Sequence, residues 1–304
     1  MSAKPRIGFI GIGLMGEAFT RRLLDRAWSV TVWNLEPERL DKVAPYGALI
    51  AKSPRQVAES SDIVCMCVYD ASAVANCVFG SDGVSEAAGE QKLIVDFSTC
   101  NPEATREMAA RLYHQSGFRW IDAPVSGGPP AARAGTLTIM AGGACEDIEK
   151  IQALIADVAA NFTRMGEVGA GQTTKIINQA VVGVGFALIA EAVMLAERSG
   201  IEADLLINCL SGGLADSNLL RYLYPQMRSR DFDPPRAYAR QLYKDLKNVH
   251  EFASGLGLAL PVVDTATAQY RSFVGAGNEM ADPAAIVDHY PTQAQPPSPE
   301  APST

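Results

Sequence analysis

The stretch RIGFIGIGLMGEAF, Arg6 to Phe19, decides the fold. RIGFI reads as a strand, MGEAFTRRLLDRA as a helix, and between them Gly11, Gly13 and Gly16 stand in GxGxxG spacing. In that context each glycine has its own steric task. One makes the tight turn, one lets a pyrophosphate approach the backbone, and one lets the helix pack closely on the strand. The helix start adds free N–H groups and the positive end of its dipole. The turn carrying Gly11, Gly13, Leu14, Met15 and Gly16 is therefore expected to bind a dinucleotide.

Outward from this turn, SVTVW, ALIA, DIVCMCV, KLIVDFS, FRWIDAPV and TLTIMAG read as further strands, with helical segments such as PEATREMAARLYHQ between them, up to about Asn161. That alternation signifies βαβ units on a largely parallel sheet. From Gly166 onward long helical patterns take over, the first running from Gly169 to Gly200. The expected class is α/β, a doubly wound parallel sheet followed by an all-helical domain. We place a dinucleotide-binding domain at 1–166, a helical substrate and dimerisation domain at 167–290, and a disordered tail, PTQAQPPSPEAPST, at 291–304.

A chain of 304 residues suits two such domains. With 48% apolar residues it has material for a core, and its net charge of −8 argues against sequence-independent nucleic-acid binding. Acidic substrates must then be captured locally. Six cysteines without CxxC pairs or an export signal point to buried thiols in a reducing compartment, the cytoplasm, and not to disulfides or a metal site. The uncharged run Ile176 to Ala190 is shorter than the ~20 apolar residues of a membrane span, so no membrane segment is expected.

Three further places carry chemistry. The second strand ends in VTVWNLEPERL, where an Asp or Glu would hold the ribose 2′-hydroxyl of NAD. Asn34 stands there, Glu36 follows, and no Arg occupies position 35. Asn34 does not repel a 2′-phosphate, which tilts the expectation to NADP and leaves NAD open. In IDAPVSGG, Ser126, Gly127 and Gly128 offer three successive N–H donors before Pro129 and Pro130, either an anion nest or a plain tight turn. In GAGQTTKIINQAVVG, Lys175 heads a run uncharged until Glu191. Residues 175, 178, 179 and 182 share a helical face, so Lys175, Asn178 and Gln179 front one cavity.

Taken together, GFIGIGLMG, DFST, DAPVSGG, GTLTIMAGG, GAGQTTKIINQ and the later KDL at Lys244 to Leu246 resemble the 3-hydroxyisobutyrate dehydrogenase, or β-hydroxyacid dehydrogenase, family, from about Arg6 to Val287. The resemblance implies a Rossmann-type domain and a helical domain with the active site in the cleft, and a homodimer or homotetramer. It implies that Lys175 is the catalytic lysine, Ser126, Gly127 and Gly128 the carboxylate site, Thr99 a neighbour of nicotinamide and substrate, Lys244 a cofactor-side group, and Val68 a residue along the cofactor. Many members carry Asn where Gln179 stands. The KxxNQ form is similar to tartronate semialdehyde reductases. Tyr69 and Asp70 follow Val68 where Leu-Pro or Val-Pro is common, and PPAARAG replaces a glycine-rich loop.

The chemistry so implied is hydride transfer between nicotinamide and a small carboxylate-bearing β-hydroxy acid or its aldehyde or ketone. A proton must also move, and a desolvated lysine suits that task. For a lone lysine the alternative is a snorkelling side chain with its head in solvent. Arg240, one turn before Lys244, reads as a surface ion pair in preference to a second anion site. Two other functions compete: an imine reductase, which usually replaces the lysine, and a dinucleotide-binding scaffold without turnover.

Overall fold

The computed structural model describes residues 4–290, so the tail expected at 291–304 lies outside the described residues. The chain opens with β1 (Ile7–Ile10), α1 (Leu14–Asp25), β2 (Val30–Trp33) and β3 (Leu49–Ile50). α2 (Pro54–Ser60) leads to β4 (Ile63–Met66), α3 (Ala71–Phe79), β5 (Leu93–Asp96), α4 (Pro102–Ser116) and β6 (Arg119–Asp122). These six strands are mutually parallel, in the order β3-β2-β1-β4-β5-β6. β1 lies between β2 and β4, so the strand order reverses there and leaves a crevice beyond the strands' carboxyl ends.

The central strands are buried on both faces, as parallel strands between helical layers must be. On one face Phe9, Phe19 and Phe97 pack ring on ring, with centroids 5.6 Å (Phe9–Phe19) and 4.6 Å (Phe19–Phe97) apart. On the other face Ile10, Val64, Met66 and Ile94 form a second cluster.

The sheet then turns antiparallel. β7 (Val125–Ser126) leads into α5 (Gly128–Ala134) and β8 (Leu137–Gly142), which pairs antiparallel with both β6 and β7. After α6 (Cys145–Lys150) and α7 (Gln152–Val158), β9 (Ala159–Gly166) pairs parallel to β8. The sequence reading has no strand here. Asn161, Thr163 and Arg164 break any apolar run, and two irregularities interrupt the register with β8. β9 is an edge strand paired through its backbone, with Ala159 and Phe162 packed against the core.

The remainder is helical: α8 (Ala170–Arg198), the short α9 (Leu206–Leu210), α10 (Asn218–Ser229), α11 (Ala239–Gly255) and α12 (Pro261–Phe273). α10, α11 and α12 all pack on α8. By length and composition α8 is apolar enough to cross a membrane, more than its uncharged run suggests. In this fold it is the central post of the helical cluster, with Gln172, Lys175 and Gln179 buried along it. All six cysteines are free, but Cys145 and Cys209 are exposed where buried thiols are expected.

α8 starts against the ends of β6 and β8. The Asp122 carboxylate, at the end of β6, accepts the N–H groups of Gly169 at 2.7 Å and Gln172 at 2.8 Å, satisfying donors that a helix start leaves open. Burial pushes the Asp122 carboxyl up to about 6, against the pull of those N–H groups. Asp122→Ala strands these buried donors and should lower unfolding free energy by about 2 kcal/mol. Denaturant unfolding with an unchanged slope measures it, and a loss under about 0.5 kcal/mol would show that the cap is unimportant.

Candidate active site

The glycine turn follows β1 at the crevice. Gly11 has φ 97°, and a Cβ there would lie 2.4 Å from the Cys67 carbonyl oxygen. A Cβ on Gly16 would lie 1.8 Å from the Gly11 carbonyl oxygen, so this glycine lets α1 seat on the turn. Gly13 differs, because a Cβ there meets nothing within 4 Å. The space before it is open, as a cradle for phosphate requires. Leu14 and Met15 open α1 beside it.

Asn34 is buried and engaged within the protein. Its Oδ1 accepts the Ile12 N–H at 2.7 Å, and its Nδ2 donates to the Glu36 carbonyl at 2.9 Å and to the Glu36 carboxylate at 3.0 Å. It ties the glycine turn to Glu36, and its Oδ1 keeps a second acceptor site. Beside it Glu36 and Arg39 form an ion pair at 3.0 Å. A carboxylate suits the ribose hydroxyls of NAD, a guanidinium the extra phosphate of NADP.

Lys175 lies at the meeting of the two halves. Its Nζ donates to the Val125 carbonyl at 2.8 Å and to Gln179 Oε1 at 2.7 Å. Val125 immediately precedes the Ser126-Gly127-Gly128 turn, where Gly127 and Gly128 take φ values of 123° and 68° that favour glycine. Asn178 Nδ2 also donates to Gln179 Oε1, at 2.8 Å. The structure thus brings together Lys175, Asn178, Gln179 and the candidate carboxylate turn.

α11 completes the cluster. Gln179 Nε2 donates to Asp245 Oδ2 at 2.7 Å, and Lys244 Nζ lies 3.1 Å from Asp245 Oδ1. Lys244 also donates to the carbonyls of Tyr69 at 2.9 Å and Thr99 at 3.1 Å, tying α11 to the loops after β4 and β5. Val68 donates its N–H to Ser98 Oγ at 2.9 Å and lies against Gly11.

The two lysines are tuned apart. Burial draws the Lys175 amine down from 10.5 to about 8; Asp245 opposes that and Lys244 adds to it. Burial also acts to lower Lys244, but the Asp245 carboxylate outweighs it and the net direction is up. Lys244 is a fixed cation, while Lys175 can take and give a proton near neutral pH. Its ammonium has three N–H groups. Among the described residues two of these meet acceptors, the Val125 carbonyl and Gln179 Oε1.

Three residues in this arrangement lie within the quoted motifs DFST, GAGQTTKIINQ and KDL but receive no role of their own in the sequence reading: Ser98, Gln172 and Asp245. Gln172 donates to the Ser98 carbonyl at 2.8 Å and accepts the Cys100 N–H at 3.0 Å, stitching α8 to the loop that holds Thr99. Its position one turn before Lys175 on the same face was the available signal. Arg240 departs from the expected surface ion pair. Among the described residues it meets no carboxylate, and its guanidinium lies over the rings of Tyr69 at 5.2 Å and Tyr238 at 5.8 Å. No cluster of His, Cys, Asp and Glu that could hold a metal occurs among the described residues.

Comparison with known proteins agrees with this architecture. Residues 6–166 match the model of the NAD binding domain of 6-phosphogluconate dehydrogenase. Residues 169–290 match the NAD-binding domain model of NADP-dependent 3-hydroxyisobutyrate dehydrogenase. The chain is 33% identical to 2-hydroxy-3-oxopropionate reductase of Escherichia coli, over 93% of this chain and 96% of that one. The crystal structure of a 3-hydroxyisobutyrate dehydrogenase from Salmonella typhimurium superposes with a TM-score of 0.85 at 30% identity, covering 94% of this chain and 99% of that one. An imine reductase from Pseudomonas sp., at 20% identity and a TM-score of 0.60 over 94% and 99% of the two chains, shares the fold alone.

The glycine turn separates two kinds of failure. Gly13→Val leaves the fold intact and fills the open cradle, so cofactor affinity should fall by at least about tenfold at unchanged melting temperature. Gly16→Ala drives a methyl into backbone and should unfold the protein at lower temperature. Calorimetry with and without cofactor distinguishes them, and wild-type affinity in Gly13→Val would contradict the assignment.

Proposed function

The chain belongs to the 3-hydroxyisobutyrate dehydrogenase family of NAD(P)-dependent β-hydroxyacid dehydrogenases, and on that premise we propose that Lys175 moves the proton in the reaction. One observation carries this: a buried amine with one N–H unspent stands beside the Ser126–Gly128 turn. The groups proposed to hold the cofactor are the Gly11–Gly16 turn, Val68, Thr99 and Lys244. A nicotinamide held by these groups would supply the hydride acceptor or donor.

The protein supplies the rest. The N–H groups of Ser126, Gly127 and Gly128 hold the substrate carboxylate, and the amides of Asn178 and Gln179 border the substrate. In oxidation neutral Lys175 takes the hydroxyl proton. In reduction the ammonium returns it and stabilises the oxyanion developing on the carbonyl. The substrate is a small β-hydroxy acid or its aldehyde or ketone. The KxxNQ pattern and the Escherichia coli relative make 2-hydroxy-3-oxopropionate the first compound to test. Lys175 favours this chemistry over imine reduction, and the assembled cluster favours turnover over a scaffold role. A reducing cytoplasmic setting suits six unpaired thiols.

The active form is proposed to be a homo-oligomer joined along α8. Ile177, Val181, Leu188 and Leu195 are 61%, 68%, 61% and 72% exposed, a stripe along one face of the helix. Beside it a groove of about 620 Å³ is lined by Val181, Val184, Leu188, Leu210 and Leu219. A second copy covers such a surface. Val181→Glu with Leu188→Glu should shift sedimentation to the monomer. A wild-type protein that sediments as a monomer at micromolar concentration contradicts the proposal.

Lys175→Ala should keep cofactor affinity and lose ~10²- to 10⁴-fold in turnover, with Lys175→Arg rescuing little because a guanidinium stays protonated. With pH rising through about 8, oxidation should speed up and reduction slow down as the amine loses its proton. Steady-state kinetics in both directions measures this. Turnover in the Ala variant close to wild type would remove Lys175 from the chemistry.

A further inference from the structure

Gln179 has an amide with two ends of nearly equal shape and opposite hydrogen-bonding character. Only its oxygen is useful toward an ammonium at Lys175. The amide takes that orientation here: Oε1 receives Lys175 and Asn178, while Nε2 donates to Asp245 at 2.7 Å. An ionised carboxylate only accepts hydrogen bonds, so Asp245 holds the NH₂ end and leaves the oxygen for the lysine. Asp245 is buried on α11, and Lys244 stands by its other oxygen. Lys244 in turn grips the carbonyls of Tyr69 and Thr99, so the cofactor-side loops help place this carboxylate.

We propose that Asp245 is the positioning residue for Lys175, fixing the direction of the amine through Gln179 and its proton affinity through its own charge. This rests on Lys175 as acid and base, and goes beyond it by naming the group that sets it. The charged or titratable groups facing Lys175 are Asp245 and Lys244 from α11 and Cys67 from the end of β4. Burial and Lys244 disfavour the ammonium, and Asp245 is the chief group favouring it. Removing the Asp245 charge therefore makes Lys175 a weaker base that loses its proton at lower pH.

Asp245→Asn is nearly isosteric and can still offer Gln179 a carbonyl, so it tests charge apart from shape. The limb in oxidation rate near pH 8 should move down by about one pH unit. The same shift is expected without substrate or cofactor, in the pH titration of lysine 13Cε resonances, with the Lys175 signal assigned by its loss in Lys175→Met. A Lys175 titration unmoved in Asp245→Asn would overturn the proposal. A rate limb that survives in Lys175→Met would overturn the acid–base reading instead, and the NMR titration would still decide the role of Asp245. Should Asp245→Asn not fold, Gln179→Met cuts the link while keeping the carboxylate. Turnover in Gln179→Met should fall by at least about tenfold, and wild-type turnover in that variant would overturn the route through Gln179.

Discussion

A lysine amine taken out of water is the constraint on which this structure turns. Burying an ammonium is costly unless its N–H groups are met by acceptors. Among the described residues two of the three are met, by the Val125 carbonyl and Gln179 Oε1. The cost shows in the amine's position at about 8 in place of 10.5. Because the unfolded chain holds that proton more tightly, the contribution of Lys175 to stability rises with pH between about 8 and 10.5. Below that window the folded protein carries a destabilising charge, the cost of keeping the amine in the position proposed for proton transfer.

Such a charge is useful only if the helix bearing it is placed accurately. α8 is fixed from three sides. Asp122 caps its first turn, Gln172 joins it to the backbone of Ser98 and Cys100, and Gln179 joins it to Asp245. Lys244 closes the circuit by bonding α11 to the loops after β4 and β5. The loops at the strand ends and the helices thus share one polar network, in which Asp245 Oδ1 meets Lys244 as an ion pair and no hydrogen-bond donor among the described residues.

Steric and local features were legible in the sequence. The strand, glycine turn and first helix follow from what GxGxxG requires of the backbone, and Gly11 and Gly16 have the contacts that forbid a side chain. The break from strands to long helices is equally plain. Lys175 stands out because a lone charge interrupts an apolar helix. Features that depend on distant partners were not legible. β9 lacks an apolar run because it is an edge strand paired through its backbone. Asp245 and Gln172 look ordinary until residues 66 and 74 positions away in the chain are brought to them. The bonds of Asn34 to Ile12 and Glu36 were likewise not legible, because they depend on how the turn closes. Arg240 lacks the expected carboxylate because two aromatic rings receive its guanidinium.

The most direct test is a crystal structure with reduced or oxidised cofactor and a bound β-hydroxy acid. The substrate carboxylate should lie on the N–H groups of Ser126, Gly127 and Gly128, with its hydroxyl oxygen about 3 Å from Lys175 Nζ, at the direction left free by Val125 and Gln179. A substrate whose hydroxyl points away from Lys175, with another side chain in hydrogen-bond reach of it, would contradict the account.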